Sequence, residues 1–169
     1  SVVVDIGGGN GTLLQTILHK YPQLQGILFD LPPVITEAKQ IPVLQQLGRR
    51  CRFVSGRFTD GVPNGGDLYI LSQILHNWSD EQCIEILRNC HDAMSTQGKL
   101  LILEMLIPYH LKGNIPAVDS DLMMLAVTQG RERNEVEYKA LLEAANLKLS
   151  AVYPLKRLGF SAIEAQKEG

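Results

Sequence analysis

The chain has 169 residues, with 16 Lys and Arg against 18 Asp and Glu and a formal net charge of −2. That balance, with no long basic run, argues against nucleic acid and anionic membrane as main partners, and no apolar stretch approaches the roughly 20 residues of a membrane span. The length suits one domain that buries about 70% of its unfolded surface.

The predicted elements alternate strand and helix. Residues 1–6, rich in β-branched side chains, form a strand that runs straight into a glycine cluster. Leu13, Leu14, Ile17 and Leu18 then recur at helical spacing over residues 12–21, where Pro22 stops the helix. Gln25–Asp30 is a second strand. Pro32 and Pro33 open a short helix over residues 34–39, and Pro42 forces a break before residues 43–47. Residues 52–55 form a short strand. Residues 67–75 form a long strand that is apolar on both faces, as a central parallel strand should be. Ser79 with Gln82 makes a capping box, and Cys83, Leu87, Cys90 and Met94 give the following helix its buried stripe. Residues 99–106 are strand, 117–127 helix, and Asn134 with Glu137 makes a second capping box. The last strands are residues 147–153 and 159–165, antiparallel because no helix separates them. The order implies a three-layer α/β domain with a mostly parallel sheet. Residues 108–116, bounded by prolines, are the candidate mobile excursion.

The opening Val4-Asp5-Ile6-Gly7-Gly8-Gly9-Asn10-Gly11 points to a nucleotide-like ligand, because glycines let the backbone pass close to a bound molecule. A dinucleotide fingerprint would place its third glycine at Thr12; here it stands at Gly11. Asp5 beside the loop suits a ligand with an amine, hydroxyls or a positive charge, and S-adenosylmethionine has all three. Asp30, at a strand end, is placed to accept from ribose hydroxyls. The bland alternative is a tight strand–helix turn and nothing more.

Asp5, Asp30, His76 and Glu104 all fall at or just after predicted strand ends, the edge where such sheets bind ligands. His76 has the pKa range of a general base. Its alternative is a packing or capping histidine. Glu104 or Glu132 could hold the second nitrogen of its ring, although Glu132 could instead pair with Arg131 or Arg133. Trp78 could face an adenine or plug the sheet edge. Met123 and Met124 line an apolar pocket or belong to the core. His19, His91 and His110 read as surface or helix residues. Cys51, Cys83 and Cys90 lack metal-ligand spacing, no metal is expected, and a reducing cytoplasm is the default compartment.

Six pieces in order carry a family resemblance: the glycine loop, Asp30-Leu31-Pro32-Pro33-Val34-Ile35, Ile74-Leu75-His76-Asn77-Trp78-Ser79-Asp80-Glu81, Leu101-Ile102-Leu103-Glu104, Asp121-Leu122-Met123-Met124-Leu125 and Gly130-Arg131-Glu132-Arg133. The chain resembles the catalytic domain of S-adenosylmethionine-dependent O-methyltransferases of the plant caffeate and acetylserotonin type, a family with many bacterial members. The resemblance implies a Rossmann-like methyltransferase fold, with a seven-stranded, mostly parallel sheet and a reversed last strand. It implies cofactor binding by Asp5, Gly7, Gly9, Gly11, Asp30, Leu31, Arg57, Phe58, Ser72 and Trp78. His76 would be the general base, flanked by Glu104 and Glu132, with Asn77, Met123 and Met124 against a small, hydroxylated, aromatic acceptor. Family members carry an N-terminal helical domain that forms a homodimer. Residues 1–169 match the cofactor-binding domain alone, so the expectation is a fragment.

This sequence departs from the family pattern in places. Arg57 stands where an acid is usual, Asn77 where aspartate is frequent, Ser72 where plant members often have lysine, and Asn134 where threonine is usual. The competing readings are a non-catalytic cofactor-binding domain, a C- or N-methylating variant, and a nicotinamide-dependent oxidoreductase.

Overall fold

A computed structural model describes residues 1–107, 130–156 and 159–168. Seven strands form one sheet: β1 (Val2–Ile6), β2 (Gln25–Asp30), β3 (Cys51–Ser55), β4 (Leu68–Ser72), β5 (Lys99–Met105), β6 (Leu147–Pro154) and β7 (Phe160–Lys167). Their order across the sheet is β3-β2-β1-β4-β5-β7-β6. The pairs β1–β2, β1–β4, β2–β3 and β4–β5 are parallel, whereas β7 slots between β5 and β6 and runs against both. This is the mostly parallel, doubly wound sheet expected from the strand–helix alternation, and its reversed strand follows from the missing last crossover helix.

The helices are α1 (Thr12–Lys20), α2 (Pro32–Ala38), α3 (Pro42–Gln45), α4 (Asp80–Ala93) and α5 (Glu135–Ala144). Alternation along the strands sorts side chains to two faces. Val3, Leu28 and Ile70 pack with Leu14 and Leu18 of α1, Ile35 and Ala38 of α2, and Leu44 of α3. Val4, Ile6, Phe29 and Leu71 pack with Cys83, Ile86, Leu87 and Cys90 of α4 and with Tyr138, Leu141 and Leu142 of α5. Cys83 and Cys90 are fully buried, and burial raises both thiols, to about 11 and about 12. They are inert hydrophobes, as their helical spacing suggests. Both capping boxes form: Ser79 Oγ accepts from Gln82 N, and Asn134 Oδ1 accepts from Glu137 N at 3.0 Å, each reciprocated.

One element is shorter than its hydrophobic run predicts. The strand expected over residues 67–75 ends at Ser72, and Gln73 takes a left-handed φ of 55°. The chain then closes a 3-10 turn over Leu75–Asn77. Ile74 and Leu75 stay apolar because they pack inward from this turn, where a strand and a buried turn give the same pattern. His76 is thereby carried on a turn rather than at a strand's end. The helix expected over 117–127 and the excursion over 108–116 lie outside the described residues, as do Met123 and Met124.

Candidate active site

Strand order reverses between β1 and β4, so the loops leaving these two strands diverge and open a crevice at the carboxyl edge of the sheet. The glycine loop follows β1 on one side. The His76 turn follows β4 on the other.

The loop is built for close approach. Gly7, Gly9 and Gly11 all have positive φ, at 64°, 57° and 71°, a region that side chains with a Cβ rarely enter. A methyl on Gly9 would meet nothing within 4 Å, so the loop faces open space there. Gly9 N donates to Asp30 Oδ2 at 2.9 Å, and Leu31 N donates to Asp30 Oδ1 at 2.7 Å. The Asp30 carboxylate therefore braces the loop while standing at the rim of a cavity. That cavity holds about 230 Å³ and is lined by Asp30, Leu31, Arg57, Phe58, Thr59 and Trp78. A second recess of about 370 Å³ adjoins it through Arg57. Trp78 and Phe58 meet edge to face, with ring centroids 5.6 Å apart, which leaves aromatic surface toward the cavity. Asn89 of α4 donates to the carbonyls of Phe58 and Thr59 at 2.8 and 2.9 Å, fixing this wall from behind.

Asp5 lies under the loop instead of on the cavity wall. It is 1% exposed, and a methyl on Gly8 would fall 2.6 Å from its Oδ2. Burial raises its pKa to about 7; a hydrogen bond from the Leu14 amide opposes the shift, and the charge of Asp30 adds to it. Ser72 closes β4 opposite Leu103 of β5 and is not in the lining of either cavity.

His76 Nδ1 lies 2.9 Å from Glu104 Oε2 and 3.6 Å from Glu132 Oε1. The first contact is short, but the ring N–H does not aim straight along it. The carboxylates are 0% and 2% exposed, whereas the imidazole keeps 14%. Glu104 also accepts from the His76 backbone N–H at 3.4 Å. Burial by itself would lower the His76 pKa. The close contact and charge of Glu104, joined by the charge of Glu132, outweigh burial and the opposing Arg133, so the pKa rises above the usual 6.5. Asn77 turns its amide to the Gln73 carbonyl at a long 3.4 Å.

The structure thus brings His76, Glu104 and Glu132 together: His76 on the turn after β4, Glu104 near the end of β5, and Glu132 from the segment that precedes α5. It settles the arginine alternatives as well. Arg131 pairs with Asp80 and Glu137, and Arg133 pairs with Asp80. Thr59 and Asn89 escaped the sequence reading because neither stands in a motif; only their spatial neighbours mark them. Ligand atoms of His76, Glu104 and Glu132 lie within 4.8 Å of one another, a spacing that also suits a cation.

An O-methyltransferase domain model matches residues 1–148. Phenazine O-methyltransferase PhzM of Lysobacter antibioticus is 43% identical over 166 residues, which are 97% of this chain and 48% of that protein. The 3-amino-4-hydroxybenzoate 4-O-methyltransferase of Streptomyces cremeus is 40% identical over 154 residues, 91% of this chain and 42% of that one. The crystal structure of NcsB1, an O-methyltransferase from neocarzinostatin biosynthesis in complex with S-adenosylmethionine and 2-hydroxy-5-methyl naphthoic acid, superposes with a TM-score of 0.88 at 32% identity, covering 99% of this chain and 49% of that one. The chain therefore spans about half the length of the relatives it matches. With its glycine loop and its histidine–carboxylate cluster on opposite sides of one crevice, the chain belongs to the O-methyltransferase domain family.

Proposed function

We propose that this domain binds S-adenosylmethionine and serves transfer of its methyl group to a hydroxyl on a small aromatic metabolite, with His76 as general base. The observation that carries the reading is the imidazole of His76, on the turn that follows β4, with its Nδ1 beside the buried Glu104 and Glu132. With Nδ1 engaged, Nε2 is the nitrogen left to take a proton.

The residues present suit the cofactor. The open face of Gly9, the Asp30 carboxylate and the Trp78–Phe58 pair offer, in turn, a close backbone approach, acceptors for ribose hydroxyls and an apolar wall for a purine. Arg57 presents donors alone, so it would meet ring nitrogens of adenine and not its amine. When bound, the sulfonium cofactor supplies an already activated methyl group. The protein's task is then alignment and removal of one proton. His76 Nε2 accepts the hydroxyl proton, and Glu104 with Glu132 stabilises the resulting imidazolium.

The reading is tested on the whole protein, including any sequence outside these residues. It is offered S-adenosylmethionine carrying a labelled methyl group and a panel of hydroxylated aromatics such as hydroxybenzoates and naphthols. Labelled ethers should form, and a chelator should leave the rate unchanged, since the cluster works through a proton and not a cation. Tight S-adenosylhomocysteine binding with no transfer across the panel would instead mark a non-catalytic binding domain. Labelled carbon or nitrogen products would move the acceptor class.

Ionisation gives a sharper check. The neutral imidazole is the active form, and its pKa is raised, so activity should fall as pH drops through a value above 6.5. Glu104→Gln removes the principal stabiliser of the charged ring. The acid limb of kcat/KM should move to lower pH while kcat falls about tenfold or more. An unmoved limb would show that Glu104 does not govern the base.

A further inference from the structure

We propose that Arg133 is a positioning residue that locks the His76 turn to the end of β5 and to the start of α4. This rests on the reading of His76 as the base.

The guanidinium of Arg133 is 0% exposed, and it belongs to the largest fully buried side chain among the described residues. A buried cation is costly unless its donors are met. Here Nη1 donates to the Leu75 carbonyl at 3.0 Å and Nη2 to the Trp78 carbonyl at 2.8 Å. Those two carbonyls bracket His76 and Asn77. Nε donates to Asp80 Oδ1 at 2.9 Å, and Nη2 lies 2.8 Å from the same oxygen. Asp80 is the first residue of α4. The backbone of Arg133 is tied elsewhere: its carbonyl accepts from Ile107 N at 3.1 Å, and it bridges Leu106 in parallel register, just past the strand that carries Glu104. One residue therefore sets the spacing between the imidazole's turn and the carboxylate's strand.

The preceding residues press on the same turn. A methyl on Gly130 would lie 1.9 Å from the His76 carbonyl oxygen and 2.6 Å from the Asn77 carbonyl carbon, backbone against backbone, where nothing can swing aside. Gly130 therefore packs directly on the turn, Arg133 bonds the carbonyls on both sides of it, and Glu132, between them in sequence, reaches the ring at 3.6 Å. Only a planar fork spans two carbonyls and a carboxylate at once; a lysine keeps the charge and loses the span.

The test uses Arg133→Lys and Asp80→Asn in the whole protein, each alone and combined with His76→Gln. Melting temperature, S-adenosylhomocysteine affinity by calorimetry, KM and kcat are measured. Arg133→Lys should keep the dissociation constant for S-adenosylhomocysteine within about threefold while kcat falls roughly ten- to a hundredfold, the usual effect of an ångström-scale misplacement. Asp80→Asn keeps both carbonyl bonds and should lose kcat about threefold, and it carries the test if the lysine variant does not fold. On the His76→Gln background neither substitution should reduce kcat further, because a residue that acts through His76 has nothing left to position. Unchanged kcat in the folded variants, or an equal kcat loss with and without His76, would overturn the proposal. If His76→Gln alone left turnover intact, the base reading would fail instead, whatever the arginine variants did.

Discussion

Replacing His76 with glutamine is expected to lower turnover by about a hundred- to ten-thousandfold, the usual contribution of a positioned general base. S-adenosylhomocysteine affinity should stay nearly constant, because the residues proposed to face the cofactor include Asp30, Leu31 and Phe58 on other loops, and the Trp78 ring, although on the same turn, packs against Phe58. Glutamine is the better substitute because Glu104 is fully buried and loses a 2.9 Å partner when the ring goes. Its amide can still donate there, whereas alanine leaves a buried carboxylate that must take up a proton or destabilise the fold. Single-turnover rates with the acceptor ionised above its own pKa give the discriminating measurement. A base becomes dispensable when the hydroxyl has already lost its proton, so the deficit should shrink with acidic phenols and high pH. A deficit that is constant across acceptor acidity would point to orientation as the sole role of His76.

The second large effect concerns Asp5 and has the opposite sign for stability. Burial holds its folded pKa at about 7, against 3.8 as the ordinary value. The folded protein therefore binds a proton that the unfolded chain releases between these limits. Stability is full below about pH 4, declines as pH rises and levels off above 7, with a cost of about 4 kcal/mol in order of magnitude. Asp5→Asn removes the charge and can still accept from the Leu14 amide, but its own amide group must find an acceptor beneath Gly8. Allowing about 1–3 kcal/mol for that, the variant should gain roughly 1–3 kcal/mol above pH 7 and lose about 1–3 kcal/mol near pH 4, where Asp5 is already neutral. Urea unfolding at pH 4.5 and pH 8 measures it, and a gain independent of pH would show that the charge is not what costs. A chain keeps such a residue when function repays the strain. The natural candidate is attraction of a cationic cofactor, so the same variant should weaken S-adenosylmethionine, with its sulfonium charge, more than the net-neutral S-adenosylhomocysteine.

The amino-acid sequence by itself determined the layering, because the features that decide it are local. Alternating short apolar runs and helical stripes, Pro22 and Pro42 as stops, and two capping boxes set most elements within one or two residues. The reversed last strand was legible in the missing helix between residues 147–153 and 159–165. The glycine loop was legible as well, because its positive φ angles leave few residue types to choose from. The end of β4 was not: Ile74 and Leu75 are apolar whether they extend a strand or pack from a turn, and only Gln73's left-handed backbone separates the two.

Tertiary structure alone decided how the site is held. That Glu104 and Glu132 face one imidazole depends on β4 and β5 being neighbours and on residues 130–133 lying along the end of β5. That Asp5 is buried depends on the loop folding back over it. Three partners of the Arg133 guanidinium, Leu75, Trp78 and Asp80, stand more than 50 residues away along the chain. A sequence records which side chains can carry charge or donate protons; which of them share a few ångströms of low-dielectric space is set by strand order and burial, and pKa values and rigidity follow from that proximity.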